Sequence, residues 1–557
     1  MKLFKNKWIG FVLVGAVGFG LSTVFMSSRT ETDQDKDLFE ISKNIRLLSG
    51  VYDRLNTYYV DEPQPGKLMK TGIDAMLASL DPYTVYIPES RIEDYRYMTT
   101  GQYGGIGSLI QAHGDYIVIS EPYEESPANR AGLKAGDKLL EVDGKSVVGK
   151  TVQEMSLYLK GGAGTPLTVK FDRAGVEQEV TFNREEIKIP DVPYFGMLDE
   201  KTGYVKLNSF TQTASTEVGK AIRSLKDSSG MSQLVFDLRG NGGGLLREAV
   251  NIVNFFIPKN ELVVFTKGRL EEVNRDYKTR NSPFDVNMPV VVLMNNGSAS
   301  ASEIVAGSLQ DLDRAVVIGT RSYGKGLVQQ TKELEFGSIV KLTVAKYYTP
   351  SGRCIQKVDY SHRGDDGKVN NVADSLIASF KTTGGREVKD GRGIDPDIFV
   401  EQKFSVLTTE LLMSHHVFDY ATQFARANPS IAEVKSFHLT DAQFDAFVVY
   451  VKGQEFNYTT DSKKQLEALK ITAKEEKYLA SSEAEFAALV AKLTPSLEED
   501  MERYGDEIRE LLENEIVSRY YFSTGRVIHA LEGDPNIKSA LEVLNDRSQY
   551  DSILKGI

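Results

Sequence analysis

Two runs constrain this chain most. Gln233-Leu-Val-Phe-Asp237 and Pro289-Val-Val-Val-Leu-Met294 are almost unbroken in apolar character. A strand with one face in water alternates polar and apolar residues. A strand without that alternation is buried on both faces, as parallel strands covered by helices are. Helix-like segments follow each run, Leu245–Phe256 and Ala301–Gln310, so residues 189–400 are expected to form an α/β layer. At 557 residues the chain exceeds one compact domain. Residues 29–98 read as helical, with Leu38, Ile41, Ile45, Leu48 and Leu55 at helical spacing and a break at Pro63, Pro65 and Gly66. Residues 99–188 carry glycines and short strand-like runs such as Tyr116–Ile119 and Leu167–Phe171. Residues 401–557 are rich in Glu, Lys, Leu and Ala and read as helix with charged outer faces.

The first residues bear on location. Lys2, Lys5 and Lys7 precede a run from Ile9 to Met26 without a charge. A basic flank followed by ~18 apolar or small residues is the pattern of a signal peptide or a membrane anchor. Residues 1–28 are therefore expected to be one or the other. No convincing cleavage site follows, which favours an uncleaved anchor. The basic flank would stay in the cytoplasm and the rest would be exported, to the periplasmic side of a cell envelope.

Composition removes several classes of chemistry. With 66 basic and 78 acidic side chains the net charge is −12, and no basic run occurs, so a phosphate-backbone binder is excluded and no nucleic-acid partner is expected. The single cysteine, Cys354, leaves no intrachain disulfide and no CxxC metal site. The six histidines show neither an HExxH pattern nor metal-ligand spacing, so no metal and no other cofactor is expected.

What chemistry remains is concentrated between residues 237 and 330. Asp237-Leu-Arg-Gly-Asn-Gly-Gly-Gly244 leaves the first buried strand. Glycines there let the chain turn sharply and aim N–H groups at one spot, as an oxyanion hole, a phosphate nest or a plain tight turn does. Asn296-Gly-Ser-Ala-Ser-Ala-Ser-Glu-Ile304 leaves the second. Ser298, Ser300 and Ser302 are each candidates for a nucleophile at a helix N-terminus, where the dipole favours developing negative charge, and each also fits a helix cap. A serine nucleophile needs a base. No histidine lies between His113 and His362, so the α/β layer offers none of its own. Lysine is the alternative. Lys325, between Gly324 and Gly326, accepts a proton only when neutral, and burial disfavours its charged form. Gln329, four residues on, shares a face with it in a strand or a helix and could hold its amine.

Taken together, these segments resemble the carboxy-terminal processing, or tail-specific, serine proteases. The resemblance is carried by LDPYTVYI (80–87), YGGIG (103–107), SPANRAGLKAGDKLLEVDG (126–144), DLRGNGGGLL (237–246), GSASASEIVAGSLQD (297–311), YGKGLVQ (323–329), YYTPSGRCIQ (347–356) and GRGIDPDI (391–398). It implies a multi-domain α/β protein: a helical N-terminal region, a PDZ-like β-rich domain, an α/β serine protease core with ClpP/crotonase-like layers and a helical C-terminal extension. It implies Ser300 as nucleophile, Lys325 as general base, Gln329 as its amide support, and the N–H groups of Gly243 and Ala301 as oxyanion donors. Gly242 stands where the family commonly has proline, Cys354 where serine is common, and Thr320-Arg321 where a Glu-containing stretch is usual. The stretch around Gly104 to Gly107 resembles the carboxylate loop of a PDZ domain, implying that Gly105, Ile106, Gly107 and Leu109 bind peptide tails with apolar C-termini. Implied partners are protein or peptide substrates with flexible tails, with an adaptor protein or self-association through the C-terminal helices, and the membrane through the N-terminal segment. The alternative is a catalytically silent, membrane-anchored PDZ scaffold.

Overall fold

The computed structural model describes residues 31–364, 367–401 and 403–557. The expected anchor or signal, residues 1–28, lies outside them. Among the described residues no helix is long and apolar enough to cross a membrane. The described residues form two compact units, divided after Pro82.

The first unit contributes α1 (Glu31–Tyr58) and α2 (Pro65–Ala78). The break falls at the Pro/Gly stretch. Pro65 opens α2, where a helix has no acceptor for an N–H anyway. The Tyr52 hydroxyl donates to the Pro65 carbonyl at 3.0 Å.

The second unit opens on a short strand, Val85–Ile87, paired with residues 339–341, so residues 29–98 are not helical throughout; a helix grouped above with the same N-terminal region follows. This is α3 (Ile92–Thr100), ended by Gly101 at φ +70°. A β-rich domain follows: β1 (Gln102–Gly105), β2 (Ser108–His113), β3 (Tyr116–Pro122), β4 (Lys138–Val142), α4 (Val152–Leu159), β5 (Pro166–Arg173), β6 (Val176–Asn183) and β7 (Glu185–Lys188). Strands β2-β3-β4-β5-β6 lie side by side, all antiparallel, and β1 pairs with β7. Ile117, Ile119, Leu139, Leu167 and Phe171 pack with Met155 and Leu159 of α4. A capping box between Thr151 and Glu154 starts that helix.

The α/β layer contains β8 (Tyr194–Met197), β9 (Thr202–Lys206), α5 (Ala214–Ser229), β10 (Gln233–Asp237), α6 (Leu246–Val253), β11 (Leu262–Gly268), β12 (Val290–Met294), α7 (Ala301–Asp311), β13 (Val316–Gly319), β14 (Leu327–Glu333), β15 (Ile339–Tyr348) and β16 (Ile398–Phe399). Its main sheet runs β8-β9-β10-β12-β13-β16, parallel from β9 onward. A second sheet pairs β14 and β11 with opposite edges of β15. Every residue of β10, β12 and β13 is buried, as their unbroken apolar runs require. Phe236 and Val292 pack on one face with Val218, Ile252 and Val305 of α5, α6 and α7.

The other face is covered from far along the chain. The C-terminal region comprises α8 (Val406–Met413), α9 (His416–Ala427), α10 (Asp441–Lys452), α11 (Asp461–Glu475), α12 (Glu483–Leu493), α13 (Leu497–Arg503), α14 (Gly505–Gly533), α15 (Pro535–Asn545) and α16 (Arg547–Lys555). Leu411, Phe424, Phe447, Leu512 and Ile516 form a core of its own. Yet Ile537, Ala540, Val543 and Tyr550 of α15 and α16 pack on Val235, Val291, Leu293 and Val316. Residues 401–557 are thus not one separate helical body. Their last two helices complete the burial that the strands demand.

Candidate active site

The serine-rich turn between β12 and α7 resolves three equivalent-looking hydroxyls. Ser298 donates to the Leu238 carbonyl at 2.8 Å, and Ser302 to the Asn241 carbonyl at 2.9 Å. Both are fully buried, so they fasten this turn to the glycine-rich loop after β10. Ser300 alone is partly exposed and lines an open cleft of about 710 Å³. It caps α7 with φ 55° and ψ −110°. A non-glycine residue held there stores on the order of 1–3 kcal/mol of backbone strain.

Two buried residues hold that strain in place. Glu303, fully buried on the first turn of α7, accepts from the Ser300 N–H at 2.7 Å. The same carboxylate accepts from Ser322 Oγ at 2.5 Å, the Gly324 N–H at 2.7 Å and the Lys325 N–H at 2.9 Å. Burial pushes the Glu303 carboxyl upward, and the donated hydrogen bonds pull against it. Tyr347, 1% exposed, donates its hydroxyl to the Ser300 carbonyl at 3.2 Å, and its own N–H goes to the Gly326 carbonyl at 2.9 Å. Serine turn and Gly-Lys-Gly segment are therefore tied together by five hydrogen bonds through Glu303 and Tyr347, four at their side chains and one from the Tyr347 N–H. Lys325 and Gln329 line the same cleft as Ser300. Lys325 Nζ lies 4.2 Å from the Tyr83 ring centroid, within cation–π range. The Gln329 amide donates to Thr343 Oγ1 at 3.3 Å.

The glycine loop forms the facing wall. Gly243 has φ +97°, and a Cβ there would come within 2.9 Å of both the Ala301 nitrogen and Ser300 Cβ. Only glycine permits this approach. The Ala301 N–H sits in the first turn of α7, where the helix supplies no acceptor. The Gly243 N–H, by contrast, donates to Asn241 Oδ1 at 2.9 Å. A Cβ at Gly242 meets nothing within 4 Å, so the loop does not depend on glycine at that position. All five expected catalytic and oxyanion positions, Ser300, Lys325, Gln329, Gly243 and Ala301, share this cleft. Glu303, Tyr347 and Asn241 were not singled out from sequence. The signal for Glu303 was present, since Ser-x-x-Glu is a capping-box spacing; nothing local announced Tyr347.

The β-rich domain carries a smaller groove of about 150 Å³ between β2 and α4. Of the four residues expected there, Ile106 lines it, whereas Leu109 is 46% exposed and the lining positions on β2 are Ser108 and Ile110. Side chains alternate along a strand, so this inward set excludes Leu109. Gly107 has φ +70°, and a Cβ would meet the Ser126 side chain at 2.5 Å; at Gly105 it would meet the Tyr103 ring. Tyr97 and Ile189 line both groove and cleft, so the two share a wall.

Residues 201–361 match the model of peptidase family S41, residues 118–173 a PDZ domain, and residues 407–544 the C-terminal helical domain of a probable PDZ-protease. A carboxy-terminal-processing protease of Bartonella bacilliformis is 35% identical over 350 residues, which span 62% of this chain and 79% of that protein. This chain belongs to the carboxy-terminal-processing serine proteases of family S41. A probable CtpA-like serine protease of Staphylococcus aureus is 35% identical over 361 residues, 63% of this chain and 70% of that protein. A solved photosystem II D1 C-terminal processing protease is 27% identical, covering 67% of this chain and 96% of its own, at a TM-score of 0.36.

The helical C-terminal domain of the protease touches both other modules. Arg526 of α14 pairs with Glu121 of β3 at 2.8 Å, and His113 of β2 with Asp419 of α9 at 3.0 Å. Asp534, the cap of α15, pairs at 2.6 Å with Arg239, which stands at the start of the glycine loop and also binds Asp237.

Proposed function

We propose that the protease cleaves protein tails with a Ser300–Lys325 dyad after capture on its PDZ groove. One observation supports this reading above the rest: the N–H groups of Ser300 and Lys325 donate to the same buried carboxylate, Glu303. A residue that serves both as cap of the serine's helix and as anchor of the lysine's loop fixes their backbones together. A neutral Lys325 takes the proton of Ser300 as Oγ attacks the peptide carbonyl, and the ammonium returns it to the leaving amine. Water activated by the same amine then releases the acyl group. Gln329 supports the amine. The Ala301 N–H faces the developing oxyanion; the Gly243 N–H joins it by turning from Asn241. Each such donor is typically worth ~2.7–4 kcal/mol. Peptide tails dock along β2 with an apolar last side chain against Ile106 and Ile110, and the Gly105–Gly107 backbone faces the terminal carboxylate. The wall shared through Tyr97 and Ile189 supports a path from a docked tail to the cleft.

Export to the periplasmic face of a cell envelope, with the N-terminal segment as anchor, rests on Lys2, Lys5, Lys7 and the uncharged run after them. The deciding experiment is cleavage of tail-bearing peptides. Ser300→Ala and Lys325→Ala each abolish turnover while tail binding persists, and Lys325→Arg does not rescue it because Arg stays charged. Full turnover by Ser300→Ala rejects the dyad. Binding by the wild type without cleavage of any peptide favours the silent scaffold.

A further inference from the structure

A polar cluster lies inside the helical C-terminal domain, away from the cleft. Glu513 of α14 is 4% exposed, and among the described residues no Lys or Arg pairs with it. One carboxylate oxygen, Oε1, accepts from the Leu439 N–H at 2.7 Å. The other, Oε2, faces His438 Nδ1 at 3.3 Å and His529 Nε2 at 3.6 Å. The Phe437 carbonyl oxygen stands 3.0 Å from the same Nε2. Two nitrogens and two oxygens thus converge from three stretches of chain. A buried carboxylate needs a compensating cation.

We propose that His438 Nδ1, Glu513 Oε2 and His529 Nε2 form a binding site for a divalent transition-metal cation, zinc first among them. Neutral imidazole and carboxylate are the donors zinc takes, with a fourth position left for the Phe437 carbonyl or a water. The spacing fits. Ligand bonds of about 2.0–2.1 Å in tetrahedral array put neighbouring donor atoms about 3.3 Å apart, close to the two separations from Oε2. The three donor atoms all lie within 4.8 Å of one another, and the remaining gap closes by rotation of His438, which is exposed. His529 Nδ1 lies 2.9 Å from Asn514 Oδ1; with the proton on Nδ1 donated there, the Nε2 lone pair is available to a metal. Exposure of His438 supplies the entry path.

The site has a mechanical consequence. Helix α14 carries a kink at Phe522, with φ 55° and ψ −164°. Glu513 precedes the kink and His529 follows it, so one cation clasps the two halves of the helix and the 437–439 segment together. The second half ends at Asp534, the partner of Arg239 below the glycine loop. In sequence the ligands spread from 438 to 529, which is why no spacing motif revealed them.

The test uses the full, tag-free chain, stripped with a chelator, dialysed, then titrated with zinc or cobalt(II). Metal content after gel filtration and the melting temperature are read. One cation is expected per chain, with a higher melting temperature in zinc than in its absence. His438→Ala, at an exposed position that leaves the helical core intact, and Glu513→Gln each lose the bound cation and the shift. Asn514→Ser weakens zinc binding by roughly 10–100-fold. His362→Ala, an exposed histidine elsewhere, retains it in full. Wild-type protein that keeps no zinc, or His438→Ala that binds as the wild type does, overturns the proposal and leaves a proton on one histidine as the partner of Glu513.

Discussion

The catalytic cradle and the helical C-terminal domain solve opposite problems. In the cradle, distant segments are joined by hydrogen bonds to one buried carboxylate and one buried phenol, within a few ångströms of Ser300. Between the helical domain and the rest, ion pairs supplement the apolar packing of α15 and α16: Asp534 with Arg239, Arg526 with Glu121, His113 with Asp419. Buried hydrogen bonds of fixed geometry barely respond to salt or pH. Charge pairs with a partly exposed partner, as at Arg526 and His113, respond to both. The cradle is thus built to be invariant, and the attachments around it to be adjustable.

The largest test removes the hub of the cradle. Glu303→Ala leaves the N–H groups of Ser300, Gly324 and Lys325 and the Ser322 hydroxyl without their acceptor. At about 1–3 kcal/mol for each donor left buried and unpaired, the loss exceeds about 3 kcal/mol in a urea melt, and peptide cleavage disappears with it. Glu303→Gln keeps one acceptor oxygen and should lose less. Equal stability of Glu303→Ala and wild type would show that the cradle does not depend on this carboxylate. A smaller effect is expected at the attachment nearest the chemistry. Asp534→Ala leaves Arg239 held by Asp237 alone, and the glycine loop shifts against the serine turn. Cleavage should fall roughly 10–100-fold, in kcat rather than KM, with the fold retained. A drop confined to KM would place the defect in tail binding instead.

Sequence alone conveyed the cradle far better than the attachments. β10 and β12 were legible because burial on both faces leaves an almost unbroken apolar run. Ser300 and Lys325 stood out as candidates because glycine and small residues surround them, and Gln329 because it lies four positions beyond Lys325. The choice of Ser300 over Ser298 and Ser302 rested on family resemblance, since all three fit a helix cap; burial and hydroxyl partners separate them only in three dimensions. Leu109 was misplaced because side chains alternate along β2, and the face that meets the groove carries Ser108 and Ile110. The cover that α15 gives to β10 and β12, more than 240 positions away, left no local mark. An amphipathic helix shows which side it buries, never against what.

The mildest test probes the adjustability of the attachments. His113 is bonded to Asp419, which lifts its pKa above the ordinary value of about 6.5, while burial and Lys138 act against the lift. Its ring stacks on His415 at 4.9 Å, and burial lowers the pKa of His415 and of His416 beside it. The signs are opposed. A raised folded pKa gives stability that is full below about pH 6.5 and is lost as pH rises through the raised value. Lowered values give stability that is present above about pH 6.5 and is lost as pH falls. His113→Gln removes only the first contribution. The wild type should therefore outlast His113→Gln in thermal melts at mildly acidic pH, by less than about 1 kcal/mol. The difference should vanish in alkaline buffer and shrink in high salt. A difference that grew toward alkaline pH would mean that the Asp419 pair does not hold the PDZ domain against α9, and that packing such as the contact of Gly136 with Thr422 carries that joint instead.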